Sequence, residues 1–101
     1  MCKVVYNNCY GGFGLSEVGL LLFNKRTKLN IADNYELEER VPRHHKILVE
    51  VVEELGDAAS AEHSQLQIKE LASPYYKIVS QDGKETVSEP DLSGYIKIEF
   101  E

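Results

Sequence analysis

The residues with the most chemical potential in this chain lie in one run, Asn7-Asn8-Cys9-Tyr10-Gly11-Gly12-Phe13-Gly14-Leu15-Ser16, directly after the apolar Val4-Val5-Tyr6. Glycines ahead of a serine-capped helix leave backbone amides unshielded at a positive helix end, an arrangement that suits phosphate or carboxylate. The stricter nucleotide signatures are incomplete. Read as Gly12-Phe13-Gly14-Leu15-Ser16-Glu17, the dinucleotide pattern lacks its third glycine, and no Gly-Lys-Ser/Thr follows to make a P-loop. The same glycines also suit a purely conformational purpose, turning the chain from strand to helix through positive φ, and the sequence leaves both readings open.

Cys9 is a second candidate, as a thiolate nucleophile favoured by the helix dipole and by a histidine base drawn from His44, His45 and His63. No third, orienting residue is identifiable, and a lone cysteine among glycines is more often a small packed residue, so the chain reads as a non-enzyme. Cys2 and Cys9 are widely separated and His44-His45 are adjacent, which matches no zinc spacing; no metal or other cofactor is expected. Arg43-His44-His45-Lys46 is the basic cluster of the chain, and it opens a helix whose dipole opposes it, so a bound anion would relieve it. A solvated helix end is the plainer alternative. In the sharper reading Arg43 grips phosphate or carboxylate in bidentate fashion while Tyr6, Tyr10 or Phe13 stacks a base. The candidate ligand-binding set is therefore Asn7, Asn8, Cys9, Tyr10, Gly11, Gly12, Phe13, Gly14, Ser16, Arg43 and His44.

Positioning these groups falls to a chain that reads as strand, helix, helix and then strands. Residues 3–7 carry apolar groups at adjacent positions, the pattern of a central strand covered on both faces. Ser16 caps a helix over 16–26 that opens with Glu17 and closes with Lys25-Arg26, charges matched to the dipole; Gly19 inside it signals either close packing or a weakened helix. Residues 27–41 show no clear period, with Leu29-Asn30-Ile31 a candidate short strand and 33–40 an acidic connection. Ile47, Leu48, Val51, Val52 and Leu55 recur at helical offsets and Gly56 stops that helix. After a polar connection at 57–60, Leu66 and Ile68 alternate with Gln65, Gln67 and Lys69 as a half-buried strand. Ser73-Pro74 turns the chain, segments 75–80 and 85–88 flank a hairpin at Asp82-Gly83, and residues 90–94 turn again before 95–100, with Ile96, Ile98 and Phe100 inward. The expected fold is α+β, a mixed sheet of four to five strands with two helices on one face in the order β-α-α-β-β-β-β, in a single domain over 1–101. A sheet only partly covered leaves a face or edge for a second copy, so a homo-oligomer is expected.

With 17 acidic residues against 11 basic ones and a net charge of -6, the balance argues against nucleic-acid binding, which wants a basic face. The first residues lack the apolar length of a signal peptide, and no run approaches the roughly 18 apolar residues of a membrane span, so no membrane partner is expected. Pairing Cys2 with Cys9 would require the chain to fold back within seven residues, which favours free thiols in a reducing compartment.

The stretch 4–16, together with its spacing to Arg43-His44 and to Leu48-Val49-Glu50-Val51-Val52-Glu53-Glu54-Leu55-Gly56, resembles a largely uncharacterised family of small proteins from bacteriophages and large DNA viruses, marked by a VVYNNCYGGFGLS-like N-terminal motif. In that family Arg-His-Asp-Pro precedes the valine-rich helix. The present chain keeps Arg43-His44 and departs at His45-Lys46, losing the aspartate cap and the proline that start the helix. The likeness covers more than half the chain, continues weakly over 76–87 and ends at Pro90. It implies a viral accessory protein in the cytoplasm of the infected cell. By analogy of size and source, the expected function is sequestration of a phosphate-bearing nucleotide signal of host defence through the Gly11, Gly12 and Gly14 amides, Arg43 and His44. The alternatives are a protein-interaction module that inhibits a host protein through a sheet edge or the acidic 33–39 segment, and a Cys9-dependent transferase or hydrolase.

Overall fold

Strand β1 (Cys2–Asn7) has Val4 and Val5 both completely buried, which requires a packed layer on each of its faces because successive side chains of a strand point opposite ways. The computed structural model, which describes residues 2–72, 75–89 and 96–97, supplies those layers. After β1 come α1 (Glu17–Thr27), α2 (Asn34–Arg40), α3 (Lys46–Leu55) and a short 3₁₀ helix (Gly56–Ala59). Four strands follow: β2 (Leu66–Leu71), β3 (Tyr75–Gln81), β4 (Lys84–Ser88) and β5 (Ile96–Lys97). β1 pairs antiparallel with β2, Val5 opposite Ile68 and Asn7 opposite Leu66. On that face Val5, Leu66 and Ile68 join the helices' Phe23, Leu37, Leu48 and Val51 in the main core. On the other face Val4 and Leu71 meet Tyr76, Ile78 and Val87 of the β3–β4 hairpin.

The α+β class holds, but the expected single mixed sheet does not. The strands form two antiparallel sheets, β1–β2 and β4–β3–β5. The outer edge of β1 explains the split. Its Val5 N–H donates to the Arg43 carbonyl (2.9 Å) and its Asn7 N–H to the Glu85 carboxylate (2.9 Å), so a loop and a side chain occupy positions where a third strand would pair. The hairpin is as expected: Gln81 pairs with Lys84 across Asp82 (φ 53) and Gly83 (φ 89), the two positive φ values of a two-residue reversal. The turns expected at 73–74 and 90–94, the inward face expected of residues 98 and 100, and the side chains of Cys2 and Ile96 lie outside the described residues.

A third helix, α2, occupies part of the segment expected to be an acidic connection. It is seven residues long and buries Leu37, and its start is built by local hydrogen bonds. Asp33 Oδ1 accepts the Glu36 N–H (2.9 Å) while Glu36 Oε1 reaches back to the Ala32 N–H (2.7 Å), a reciprocal cap whose signature, Asp followed three residues later by Glu, is present in the sequence. Residues 29–31 form no strand. Asn24 instead grips the Ile31 backbone, its Nδ2 donating to the carbonyl (2.8 Å) and its Oδ1 accepting the N–H (2.7 Å), which ties the chain back to α1. Within α1, Ser16 accepts the Gly19 N–H as expected of a cap, and Gly19 marks close packing: a Cβ there would lie 3.2 Å from Leu15 and 3.3 Å from the Ala59 carbonyl. No helix among the described residues is long and apolar enough to cross a membrane.

The start of α3 is capped by an imidazole. His45 Nδ1 accepts the Ile47 N–H (3.1 Å), and the ring packs edge-on against Phe23 with centroids 5.5 Å apart. Burial lowers the pKa of His45, and burial followed by repulsion from His45 lowers that of His44. A proton on His45 Nδ1 would also abolish the cap and set a positive charge against the helix dipole. Below about pH 6.5, the ordinary histidine value, the unfolded chain therefore binds protons that the folded chain excludes, and folding stability falls as pH drops. Above that value the contribution is fully present. Urea denaturation between pH 8 and 5.5 is expected to show this decline, and His45→Asn, which keeps a capping acceptor without titrating, to flatten it.

Candidate functional site

Asn7 ends β1 with its side chain fully buried, and each polar atom of that amide is used. Nδ2 donates to the Cys9 carbonyl (2.7 Å) and to the Gly83 carbonyl (2.8 Å), and Oδ1 accepts the Gln65 N–H (2.8 Å). One side chain thus joins the start of the glycine-rich loop, the tip of the β3–β4 hairpin and the approach to β2. Asn8 continues the pairing, its N–H donating to the Gln65 carbonyl (2.8 Å).

The glycines beyond it permit close backbone contacts. A Cβ on Gly11 would stand 1.8 Å from the His63 carbonyl oxygen, so the loop can lie on residue 63 only without a side chain there. Gly83 meets the loop from the other side: its φ is +89°, and a Cβ would fall 2.7 Å from the Tyr10 carbonyl and 2.9 Å from the Gly12 nitrogen. The Gly12 carbonyl accepts from Ser64 Oγ (2.6 Å), and the Gly14 carbonyl from the Ala61 N–H (3.1 Å). Leu15 is held by Asn34, whose Oδ1 accepts its N–H (2.9 Å) and whose Nδ2 donates to its carbonyl (3.0 Å). Ser16 gives its N–H to the Ala59 carbonyl (2.8 Å) and its hydroxyl to the Ala58 carbonyl (2.6 Å). The start of α1 is accordingly packed against the 3₁₀ helix, whose carbonyl oxygens stand where an anion would approach.

Arg43 lies beside this loop, and its guanidinium is committed to the protein itself. Nη1 donates to Glu85 Oε1 (2.5 Å) and Nη2 to Glu85 Oε2 (2.9 Å), a bidentate pair whose side chains are only 11% and 6% exposed. Glu38 accepts a further bond from Nη2 (3.3 Å), and the guanidinium carbon sits 3.6 Å from the centre of the Phe13 ring. Phe13, expected to stack a base, stacks an arginine. An incoming phosphate would have to displace the Glu85 carboxylate, which also holds the Asn7 N–H. Glu85 is the residue that sequence reading missed. Its signal was an acidic side chain two positions from Val87, hence on the inward face of β4.

The remaining candidates separate from this cluster. His44 Nδ1 shares a hydrogen bond with the Tyr76 hydroxyl (2.7 Å), and burial raises the pKa of that tyrosine against a smaller lowering effect of Arg43. Cys9 is a free thiol that donates to the His63 backbone carbonyl (2.9 Å). Tyr10 alone of the loop's large side chains projects outward, 66% exposed, with Lys84 Nζ 5.4 Å from its ring centre. Among the described residues no group of three or more His, Cys, Asp or Glu side chains is placed to hold a metal ion.

Removing one member of a buried ion pair leaves the other uncompensated, so Glu85→Ala and Arg43→Ala are each expected to cost about 3–5 kcal/mol in chemical denaturation. The double substitution Arg43→Met/Glu85→Leu should cost far less than the sum of the two. Asn7→Asp, which removes two donors and sets a second carboxylate beside Glu85, should lower stability by about 3 kcal/mol or more, whereas Asn8→Asp at the half-buried neighbour should cost under about 1 kcal/mol.

No protein-family model matches this chain. A search of curated proteins and a search of solved structures likewise return no match, so the functional argument rests on the geometry above.

Proposed function

We propose that this chain is an accessory binding protein that works by docking on a basic surface of another protein, rather than by catalysis, in the cytoplasm. The observation that carries the reading is the outer face of α2. Leu37 points inward, and on the opposite side Tyr35 stands 74% exposed, one helical turn from the exposed Glu39 and flanked by the exposed Glu38. An uncovered aromatic ring with a hydroxyl tip is the side-chain type that most often anchors interfaces, and the carboxylates around it choose a cationic partner. The net charge of -6 adds long-range attraction of the same sign. The resemblance to small viral proteins supports a host protein as the partner, with inhibition by coverage the simplest mode of action.

A second reading keeps the nucleotide ligand but moves its contact. Tyr10 and Lys84 together offer an exposed ring for a base and an ammonium for a phosphate at the rim of the loop, with Arg43, stacked on Phe13, as a positioning residue instead of the anion grip. The acidic balance of the chain opposes such a ligand, which places this reading second.

Immobilised wild-type chain passed over host lysate is expected to retain one protein at near-stoichiometric level, and Tyr35→Ser/Glu39→Lys to lose it. Both positions are exposed, so the double variant should keep the wild-type unfolding midpoint within a few degrees. Equal retention by both chains would remove the α2 reading. Calorimetric heat from ADP-ribose or cyclic oligonucleotides that vanishes on Tyr10→Ser would decide for the loop rim.

A further inference from the structure

α1 carries apolar residues around its whole circumference, yet only one side of it meets the core. Phe23 is fully buried, while Val18 and Leu21 on the opposite side are 58% and 70% exposed. A helix that is apolar all round ordinarily has something on every side. At 3.6 residues per turn, Glu17, Val18, Leu21, Lys25 and Lys28 fall within roughly 100° of the helix surface. A shallow open depression of about 700 Å³ runs along this side, lined by Val18, Leu21, Leu22, Lys25 and Lys28 among others.

The charges on the stripe are polarised along it. Glu17 lies at the N-terminal end and Lys25 at the C-terminal end, and neither has an ion pair among the described residues. The neighbouring Arg26, by contrast, is held by Glu54 of α3. Leu21 sits midway, four positions from each, or about 6 Å along the axis at 1.5 Å per residue. If a second α1 is laid antiparallel with a twofold axis through Leu21, Glu17 of each copy comes level with Lys25 of the other, and Leu21 packs on Leu21. A parallel neighbour would instead set lysine against lysine. The stripe is thus self-complementary in one orientation, which is the property an isologous interface requires.

We propose that the chain forms a twofold dimer through α1, with Leu21 at the axis, Val18 and Leu22 beside it, and two Glu17–Lys25 ion pairs at the rim. This assignment is independent of the docking face on α2 and of the loop rim. Self-association through the outer edge of β1 is closed off, because the Arg43 carbonyl and the Glu85 carboxylate occupy it. One helix face is a small interface, so the dimer should be concentration-dependent, with a dissociation constant on the order of 10–100 µM.

Sedimentation equilibrium of the full chain from about 5 to 500 µM tests it. The wild type is expected to fit a monomer–dimer equilibrium. Leu21→Gln, an exposed change to a good helix former, should weaken association at least about tenfold. Lys25→Glu alone should weaken it similarly, and Glu17→Lys/Lys25→Glu, which reverses both charges, should restore it to within about threefold of wild type. Far-UV circular dichroism of each variant confirms that the helix persists. A wild-type chain that stays monomeric to 500 µM overturns the proposal. So does a dimer indifferent to Leu21→Gln, or a charge-reversed double variant no tighter than Lys25→Glu alone.

Discussion

A carboxylate on the inward face of a strand cannot stay there alone, and the answer to Glu85 organises much of this molecule. Its two oxygens accept both terminal nitrogens of Arg43 and the Asn7 N–H, which draws together segments 42 and 78 residues apart in the chain. Stability by itself does not explain such a pair, because well-packed apolar residues of similar volume often do as well. What the pair supplies is direction. A bidentate arginine fixes where β4 stands relative to β1, the Arg43 carbonyl then closes the adjacent Val5 position, and the guanidinium provides the surface on which Phe13 lies. The division of the strands into two sheets follows from the same groups.

The glycine-rich loop takes its meaning from that arrangement. In a phosphate-binding loop the backbone amides converge on open space and the following helix end faces the ligand. Here the loop is pressed between residue 63 and the tip of the hairpin, its carbonyls are taken by Ser64 and Ala61, and the helix end is covered by the carbonyls of Ala58 and Ala59. Glycine is required for closeness of protein to protein. The amide of Asn7 performs the corresponding service for the hairpin, and Asn34 and Asn24 do so for the segments on either side of α1. Three asparagine side chains thereby satisfy backbone groups that sheet pairing would otherwise serve, which suits a chain whose strands are short and whose connections are long.

With its interior polar groups so engaged, the molecule keeps its chemically distinctive features for the surface. Tyr35 and Glu39 on α2, the Leu21 stripe of α1 and the Tyr10–Lys84 rim are separate patches, each on an element held firmly from beneath: α2 by its reciprocal cap and Leu37, α1 by Phe23 and Gly19, the loop by Asn7. Rigid support of this kind lowers the ordering cost of binding, the usual advantage of a preformed surface.

The sequence by itself determined the local structure. The period of α3, the serine cap and charge order of α1, the doubly apolar β1 and the Asp82-Gly83 reversal were all legible, because each depends on residues a few positions apart and on conformational preferences that packing did not override. The capping pattern that starts α2 was equally local and was passed over only for want of a hydrophobic period. The glycine-rich loop was legible as a special conformation, not as to what the conformation was for. That Arg43 would meet Glu85 and Phe13, that Asn7 would join three backbones, and that β1 would keep a closed outer edge were decided by tertiary structure alone. Which polar groups meet across 42 to 78 residues of chain is set by how separate elements pack, and a buried donor or acceptor takes the partner that packing brings to it.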